Sequence, residues 1–226
     1  MLGIFDSGVG GLTALREIKR ISPETDVCFL QDRQNAPYGT KTELEIVSLV
    51  KKNIKTLLDF GAKKVLMACC TASTVYESLT EIERKIAVPI IDFAAEASVK
   101  ISKNARIGVI ATERTVKSRA FTKSIKKLAP KAEVFELATQ SFVALVEGGG
   151  RDFNLDENQR RIIENSLTPL KNKNIDSLIL GCTHFPHIRR EIERVIGVET
   201  VNPSEICAKE ILKSDVFSRN GRCIYL

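Results

Sequence analysis

The chain has no run approaching the ~18 consecutive apolar residues of a membrane span. It has no Cys-x-x-Cys pair, and neither glycine-rich stretch is followed by Gly-Lys-Ser/Thr. The first absence excludes a spanning helix. The second argues against a zinc ribbon, and the third removes a P-loop. Its six cysteines are scattered through 226 residues, whereas a secreted disulfide scaffold is shorter and denser in cysteine. The expectation is a reducing cytoplasm with mostly free thiols. The N-terminus opens directly on an apolar strand, MLGIF, without a signal-peptide pattern.

What is present is ordinary globular material, 43% hydrophobic and 27% charged. The net charge of +6 raises nucleic-acid binding as a function. However, basic residues are interleaved with Glu and Asp, and no aromatic platform accompanies them. The densest cluster, Lys117 to Lys131, reads as the outer face of a helix. Nucleic acid is therefore not expected as the primary partner, and neither is a membrane.

Strand and helix alternate throughout, so the fold class is α/β with mostly parallel sheets. Strands are expected at Gly3–Phe5, Asp26–Leu30 and Lys64–Ala68, and again at Arg106–Ala111, Glu133–Leu137, Ser177–Leu180 and Glu199–Val201. Another short strand is expected to involve Ile90 and Ile91. Helices are expected at Leu12–Ile21, Thr42–Phe60, Ala72–Ile86, Thr115–Leu128, Asp156–Leu170, Phe185–Ile196 and Pro203–Leu212. A short helix near Gln140 is broken by Gly148, Gly149 and Gly150. A strand–turn–helix order ending on a cysteine strand occurs twice. It suggests two pseudosymmetric lobes with the active site in the cleft between them. The first lobe is residues 1–92, joined by a C-terminal helix at 205–226, and the second is 93–204.

Ligands of such sheets bind outside the carboxyl ends of the strands. Two cysteines sit there in matching frames, VLMACC-TAS at Val65–Ser73 and SLILGC-THF at Ser177–Phe185. A buried inert cysteine is common, yet each of these precedes a threonine and a helix. A helix N-terminus favours thiolate, so both thiols are expected to be acidified and catalytic. Two thiols flanking one carbon suit moving a proton from one face to the other. Asp6, before Ser7-Gly8-Val9-Gly10-Gly11, is either a helix cap or a substrate-orienting carboxylate. His184, two residues after Cys182, is placed to assist proton transfer. Zinc on His184 and Cys182 is weighed and set aside, so no metal is expected. Pro37-Tyr38-Gly39 is either a plain turn or a loop bordering the cleft. Glu147 either faces solvent or orients His184. His187 reads as a surface or capping residue, while Cys28, Cys207 and Cys223 read as packing or exposed positions.

These motifs together resemble the aspartate/glutamate racemase family. The resemblance is carried by GIFDSGVGGLT at Gly3–Thr13, PYGTK at Pro37–Lys41, ACxTAS at Ala68–Ser73 and LGCTHFP at Leu180–Pro186. IGVIATERTV at Ile107–Val116 and LVEGG at Leu145–Gly149 add to it. It implies a bacterial cytoplasmic enzyme that interconverts L- and D-glutamate without cofactor, supplies D-glutamate for peptidoglycan, and often dimerises. By motif, Cys69 handles D-glutamate and Cys182 handles L-glutamate. Asp6 attends the first thiol, and His184 backed by Glu147 attends the second. Ser7, Pro37, Tyr38, Gly39, Cys70, Thr71 and Thr183 fall on positions that hold the substrate. Two departures stand out. Cys70 replaces the usual asparagine of A-C-N-T-A-S, and Gln31-Asp32-Arg33-Gln34-Asn35 replaces the usual G-D-T-A-R. The main rivals are a racemase of aspartate or another amino acid, and a non-catalytic amino-acid-binding protein.

Overall fold

The computed structural model describes residues 1–148, 154–214 and 217–226. Gly149 and Gly150 of the expected helix-breaking triplet lie outside the described residues. The chain divides into two compact units, 1–93 with 203–226, and 94–202. Each is built on one fully parallel sheet covered by helices, as the alternating pattern predicts.

The elements run in order β1 (Leu2–Asp6), α1 (Leu12–Ile21), β2 (Val27–Gln31), α2 (Glu43–Asp59), β3 (Lys64–Met67), α3 (Cys70–Ser73), α4 (Glu81–Ile86), β4 (Ala87–Pro89) and α5 (Ile90–Ile101). There follow β5 (Arg106–Ala111), α6 (Glu113–Ser118), α7 (Ala120–Leu128), β6 (Glu133–Ala138), α8 (Ser141–Gly148), α9 (Glu157–Lys171), β7 (Ser177–Gly181), α10 (Arg189–Ile196), β8 (Thr200–Val201), α11 (Pro203–Ser214) and β9 (Cys223–Tyr225). The first sheet has the order β4-β3-β1-β2-β9 and the second β6-β5-β7-β8. Among the described residues, no helix is long and apolar enough to cross a membrane.

Buried apolar strands form the two cores. β1 and β7 are buried along their whole length, as strands covered on both faces must be. In the first unit, Ile46, Val50, Ile54 and Leu57 line one face of α2 and pack with Phe5, Val65 and Met67. Thr42 opens that helix with a capping box, its hydroxyl accepting from Glu45 N–H while Glu45 accepts from Thr42 N–H. In the second unit, Ile163, Leu167 and Leu170 of α9 pack with Ile110, Leu178, Leu180 and Phe185. The lysines of α7 are exposed while Phe121 and Ile125 are buried, so the basic cluster there is a solvated face.

Several expected boundaries are corrected. The helix expected over Ala72–Ile86 is interrupted. α3 ends after one turn, and Thr80 starts α4 afresh with its own capping box on Glu83. The β-branched residues at 71, 74 and 75 lose side-chain freedom in a helix, and the Thr80 hydroxyl serves instead as the cap of α4. Ile90 and Ile91 do not form a strand. Pro89 closes β4 and the two isoleucines begin α5. The helix expected over Thr115–Leu128 splits at Arg119, whose φ of 58° is left-handed. Phe185–Ile188 is a 3-10 turn, and α-helix begins only at Arg189.

The C-terminal helix expected over 205–226 is also corrected: α11 spans Pro203–Ser214, and Cys223–Tyr225 is the strand β9, which has no counterpart among the expected strands. It adds to β2 in parallel, with Val27 opposite Cys223. Its approach is held at Asp26, whose side chain is fully buried. Asp26 accepts from Asn220 and Arg222 backbone N–H groups at 3.1 and 2.9 Å, and from both of their side chains. The Lys19 ammonium donates to the Thr25 carbonyl at 2.6 Å and reaches those of Gly221 and Arg222 at 3.4 Å.

Burial opposes ionisation of Asp26, but the bonds from Asn220, Ser218 and Arg222 overcome it and hold the carboxyl well below its ordinary range. Folding therefore gains stability from ionised Asp26 above the unfolded-state pKa of about 4. That gain is lost as pH falls from there toward the depressed folded value. The Asp26→Asn variant should have a lower urea midpoint at pH 7. Its midpoint should also depend less on pH between 3 and 6 than that of the parent. Equal acid dependence in the two proteins would remove this role from Asp26.

Candidate active site

Asp6 closes β1 and is fully buried, with its main chain paired to Gln31 across the sheet. The chain then turns through Ser7 and Gly8, and Gly8 N–H donates to Asp6 Oδ1 at 2.8 Å. Gly11 is needed here for space rather than for backbone freedom. A Cβ on it would lie 2.3 Å from Asp6 Cβ. The next strand but one, β3, delivers Cys69 to the same edge. Its Sγ lies 3.2 Å from Ser7 Oγ and accepts from Ala72 N–H at 3.4 Å, so the sulfur itself caps α3.

The acidification expected for Cys69 is not the net result. Burial is the largest influence on the thiol, and the Asp6 charge beside it acts in the same direction. Together they push it up to about 11 despite the Ser7 and Ala72 donors. One short turn of helix does not offset removal from water. Cys69 is accordingly held as a thiol at neutral pH.

Cys70 and Thr71 follow in α3, both buried. The 32–40 segment lies at the carboxyl end of β2. Pro37 is exposed, Gly39 is half-buried and Tyr38 is buried. The Tyr38 hydroxyl donates to Asp32 Oδ2 at 2.6 Å and accepts from Asn53 Nδ2 at 3.0 Å. Asn35 Nδ2 donates to the other Asp32 oxygen at 2.7 Å. The phenol thus braces the loop from inside. What the Pro37-Tyr38-Gly39 segment offers a ligand is therefore chiefly backbone. Asp32 and Asn53 were not singled out from the sequence. The available signal was Asn53, a polar residue on the apolar face of α2 between Val50 and Ile54.

In the second unit, β7 delivers Cys182 to the carboxyl edge of its sheet. A Cβ on Gly181 would meet the Ile110 carbonyl at 2.7 Å and Ala111 Cβ at 2.9 Å, so glycine lets β7 seat closely against β5. Cys182 Sγ lies 3.6 Å from His184 Nδ1, and His184 Nε2 lies 3.2 Å from Glu147 Oε1. The histidine is buried, whereas the Glu147 side chain is 57% exposed. This makes a carboxylate–imidazole–sulfur chain, in which the carboxylate orients the ring and the ring meets the thiol. Thr183 is buried between Cys182 and His184, and His187 is exposed. Among the described residues, no three of His, Cys, Asp and Glu cluster to hold a metal ion.

Each unit therefore carries one buried thiol at a strand's carboxyl end, with a distinct polar partner. A family model described as Asp/Glu/Hydantoin racemase matches residues 19–211. The chain belongs to that racemase family. A glutamate racemase of Desulforudis audaxviator is 42% identical over 204 residues, covering 88% of this chain and 72% of the relative. A solved glutamate racemase isoform from Bacillus anthracis superposes with a TM-score of 0.89 at 29% identity, over 100% of this chain and 86% of that one. A glutamate racemase from Francisella tularensis, solved in complex with D-glutamate, gives 0.89 at 30% identity, over 99% and 86%. Family membership thus extends to both sheets and both cysteine frames.

Proposed function

We propose that this chain is a cofactor-independent racemase that interconverts L- and D-glutamate by 1,1-proton transfer between two cysteines. The observation that carries this is the pair of thiol sites. Cys69 has Ser7 and Asp6 beside it, and Cys182 has His184 and Glu147. The relatives named as glutamate racemases support the substrate class.

One sulfur, as thiolate, takes the α-proton from one face of the substrate. The opposite thiol gives a proton to the other face. In the D-to-L direction Cys69 is the base and Cys182 the acid, and the roles exchange in reverse. Each turnover thus needs one thiolate and one thiol. Burial and Asp6 hold Cys69 protonated, and the arriving substrate ammonium brings an opposite charge that favours the thiolate. The Glu147–His184 pair performs the corresponding proton management for Cys182. With no carbanion-stabilising cofactor, orientation and fixed dipoles must do the rest. Ser7, Thr71, Thr183, Cys70 and the Pro37-Tyr38-Gly39 backbone are assigned to holding the substrate's ammonium and carboxylates. The working lobes are assigned as 1–92 with 205–226, and 93–204. The physiological setting is a cytoplasmic homodimer supplying D-glutamate for peptidoglycan, with nucleic acid not a primary partner.

The test is solvent deuterium entry at the α-position, run in D2O on glutamate, aspartate and a panel of other amino acids. Rapid entry into both enantiomers of glutamate, with little into the others, is expected. Preferential entry into aspartate would reassign the substrate. Binding without exchange in any amino acid would make the chain a binding protein.

A further inference from the structure

The turn that brings the chain to β9 carries the one Asn-Gly pair of the sequence, Asn220-Gly221. In such a pair the asparagine side chain is open to attack by the next main-chain nitrogen, because glycine lacks the Cβ that would hinder the approach. Water reaches this pair. Asn220 and Gly221 are both exposed, and a Cβ on Gly221 would meet nothing closer than the Pro23 carbonyl at 4.0 Å.

The same two residues belong to the latch on Asp26. Asn220 Nδ2 donates to Asp26 Oδ2 at 2.8 Å, and Asn220 N–H donates to Oδ1 at 3.1 Å. Gly221 N–H donates to the Glu24 carbonyl at 2.8 Å. While the latch is shut, the amide that would leave and the nitrogen that would attack are both engaged. Reaction therefore waits on local opening, and an exposed turn opens far more readily than a core strand.

We propose that Asn220 is a self-modification site gated by the Asp26 latch, and that its deamidation releases β9 from β2. In the open turn the Gly221 nitrogen bonds to Asn220 Cγ as the Cγ–Nδ2 bond breaks. The Gly221 proton leaves with the amide nitrogen as ammonia. Water then opens the cyclic imide to aspartate or isoaspartate. Neither product fits the shut latch. Where an amide donated, a carboxylate faces the fully buried Asp26 with no proton between them. Arg222 Nη2, 3.1 Å from Asp26 Oδ2, then belongs to one guanidinium serving two carboxylates. Isoaspartate also inserts the side-chain methylene into the main chain just before the strand. An opening that is reversible with asparagine thus becomes permanent. The reaction uses water alone and none of the residues assigned to racemisation.

The test is storage of the full chain in warm, mildly alkaline buffer, followed by digestion after lysine and mass spectrometry. Residues 214–226 then leave as one peptide in which Asn220 is the only side-chain amide. The expected result is an amide-to-acid mass gain in that peptide, at least about tenfold faster than at any other asparagine. Asp26→Asn, which loosens the latch, should speed the gain at least about threefold, since reaction follows the open population. Asn220→Asp, the product made directly, should raise native-state trypsin cleavage after Arg222 at least about tenfold. No gain in the folded chain, or a gain spread equally over the asparagines, would overturn the site. A rate indifferent to Asp26→Asn would overturn the gating. Parental cleavage after Arg222 in Asn220→Asp would overturn the release of β9. Should that variant fail to fold, the parent before and after storage makes the same comparison. None of these readouts contains a racemisation step, so their failure and failure of the racemase assignment are separable.

Discussion

Replacing either Cys69 or Cys182 with serine should abolish measurable racemisation while leaving the fold unchanged. A positioned acid or base contributes about 10²–10⁴-fold to rate, and in the proposed mechanism each sulfur is the group that touches the transferred proton. Serine preserves size and keeps an oxygen to accept from Ala72 N–H at the start of α3, so Cys69→Ser should fold normally. The two variants should nevertheless differ. With Cys69 intact, Cys182→Ser should still exchange the α-proton of D-glutamate with solvent, without producing L-glutamate. Cys69→Ser should do the converse from L-glutamate. Exchange assays on each enantiomer, with circular dichroism as the fold control, check this. Racemisation near the parent rate in either variant would end the two-thiol mechanism. Exchange of the wrong enantiomer would swap the assignment of the sulfurs.

The second large effect is expected at Gly11, which contacts no substrate in the proposed mechanism. Gly11→Ala would set a methyl 2.3 Å from Asp6 Cβ, 3.1 Å from its Cγ and 3.3 Å from a Phe29 ring carbon. Asp6 has little room to retreat. Its main chain is paired in β1, and its carbonyl accepts from Asp32 N–H at 3.0 Å. Either the start of α1 moves outward or the carboxylate swings away from Cys69. Overpacking of this kind costs about 1–3 kcal/mol. The melting temperature should fall by several degrees, and kcat should fall by much more than stability alone explains. A Gly11→Ala enzyme with parental kcat would show that the position of Asp6 does not matter to proton transfer.

Much of the fold was legible because its signals are local. Leu12–Ile21 has helical spacing and Arg106–Ala111 is a short apolar run, and both occur at those bounds. The alternation of such segments suffices for two parallel sheets. The misreadings came where tertiary placement overrides local pattern. Nothing near Arg119 announces a left-handed residue, and Cys223–Tyr225 is too short to read as a strand until β2 offers it an edge. The cysteine frames were plain, since a thiol after an apolar run stands out. Their electrostatics were not. The shift of Cys69 depends on how deeply it is buried and on Asp6, 63 positions earlier in the chain. The Asp32–Tyr38–Asn53 brace ties the 32–40 segment to α2, two segments that share no sequence pattern, so it emerges only from coordinates.

The pairing of β9 with β2 bears on the order in which the molecule is made. Residues 94–202 form a contiguous stretch and have all their strands as soon as they leave the ribosome. The segment that begins the chain must wait with one edge of its sheet open until 203–226 have been synthesised. The half translated first is thus the half completed last. Nascent chains stalled before residue 203 should carry a protease-resistant later half and a labile earlier one.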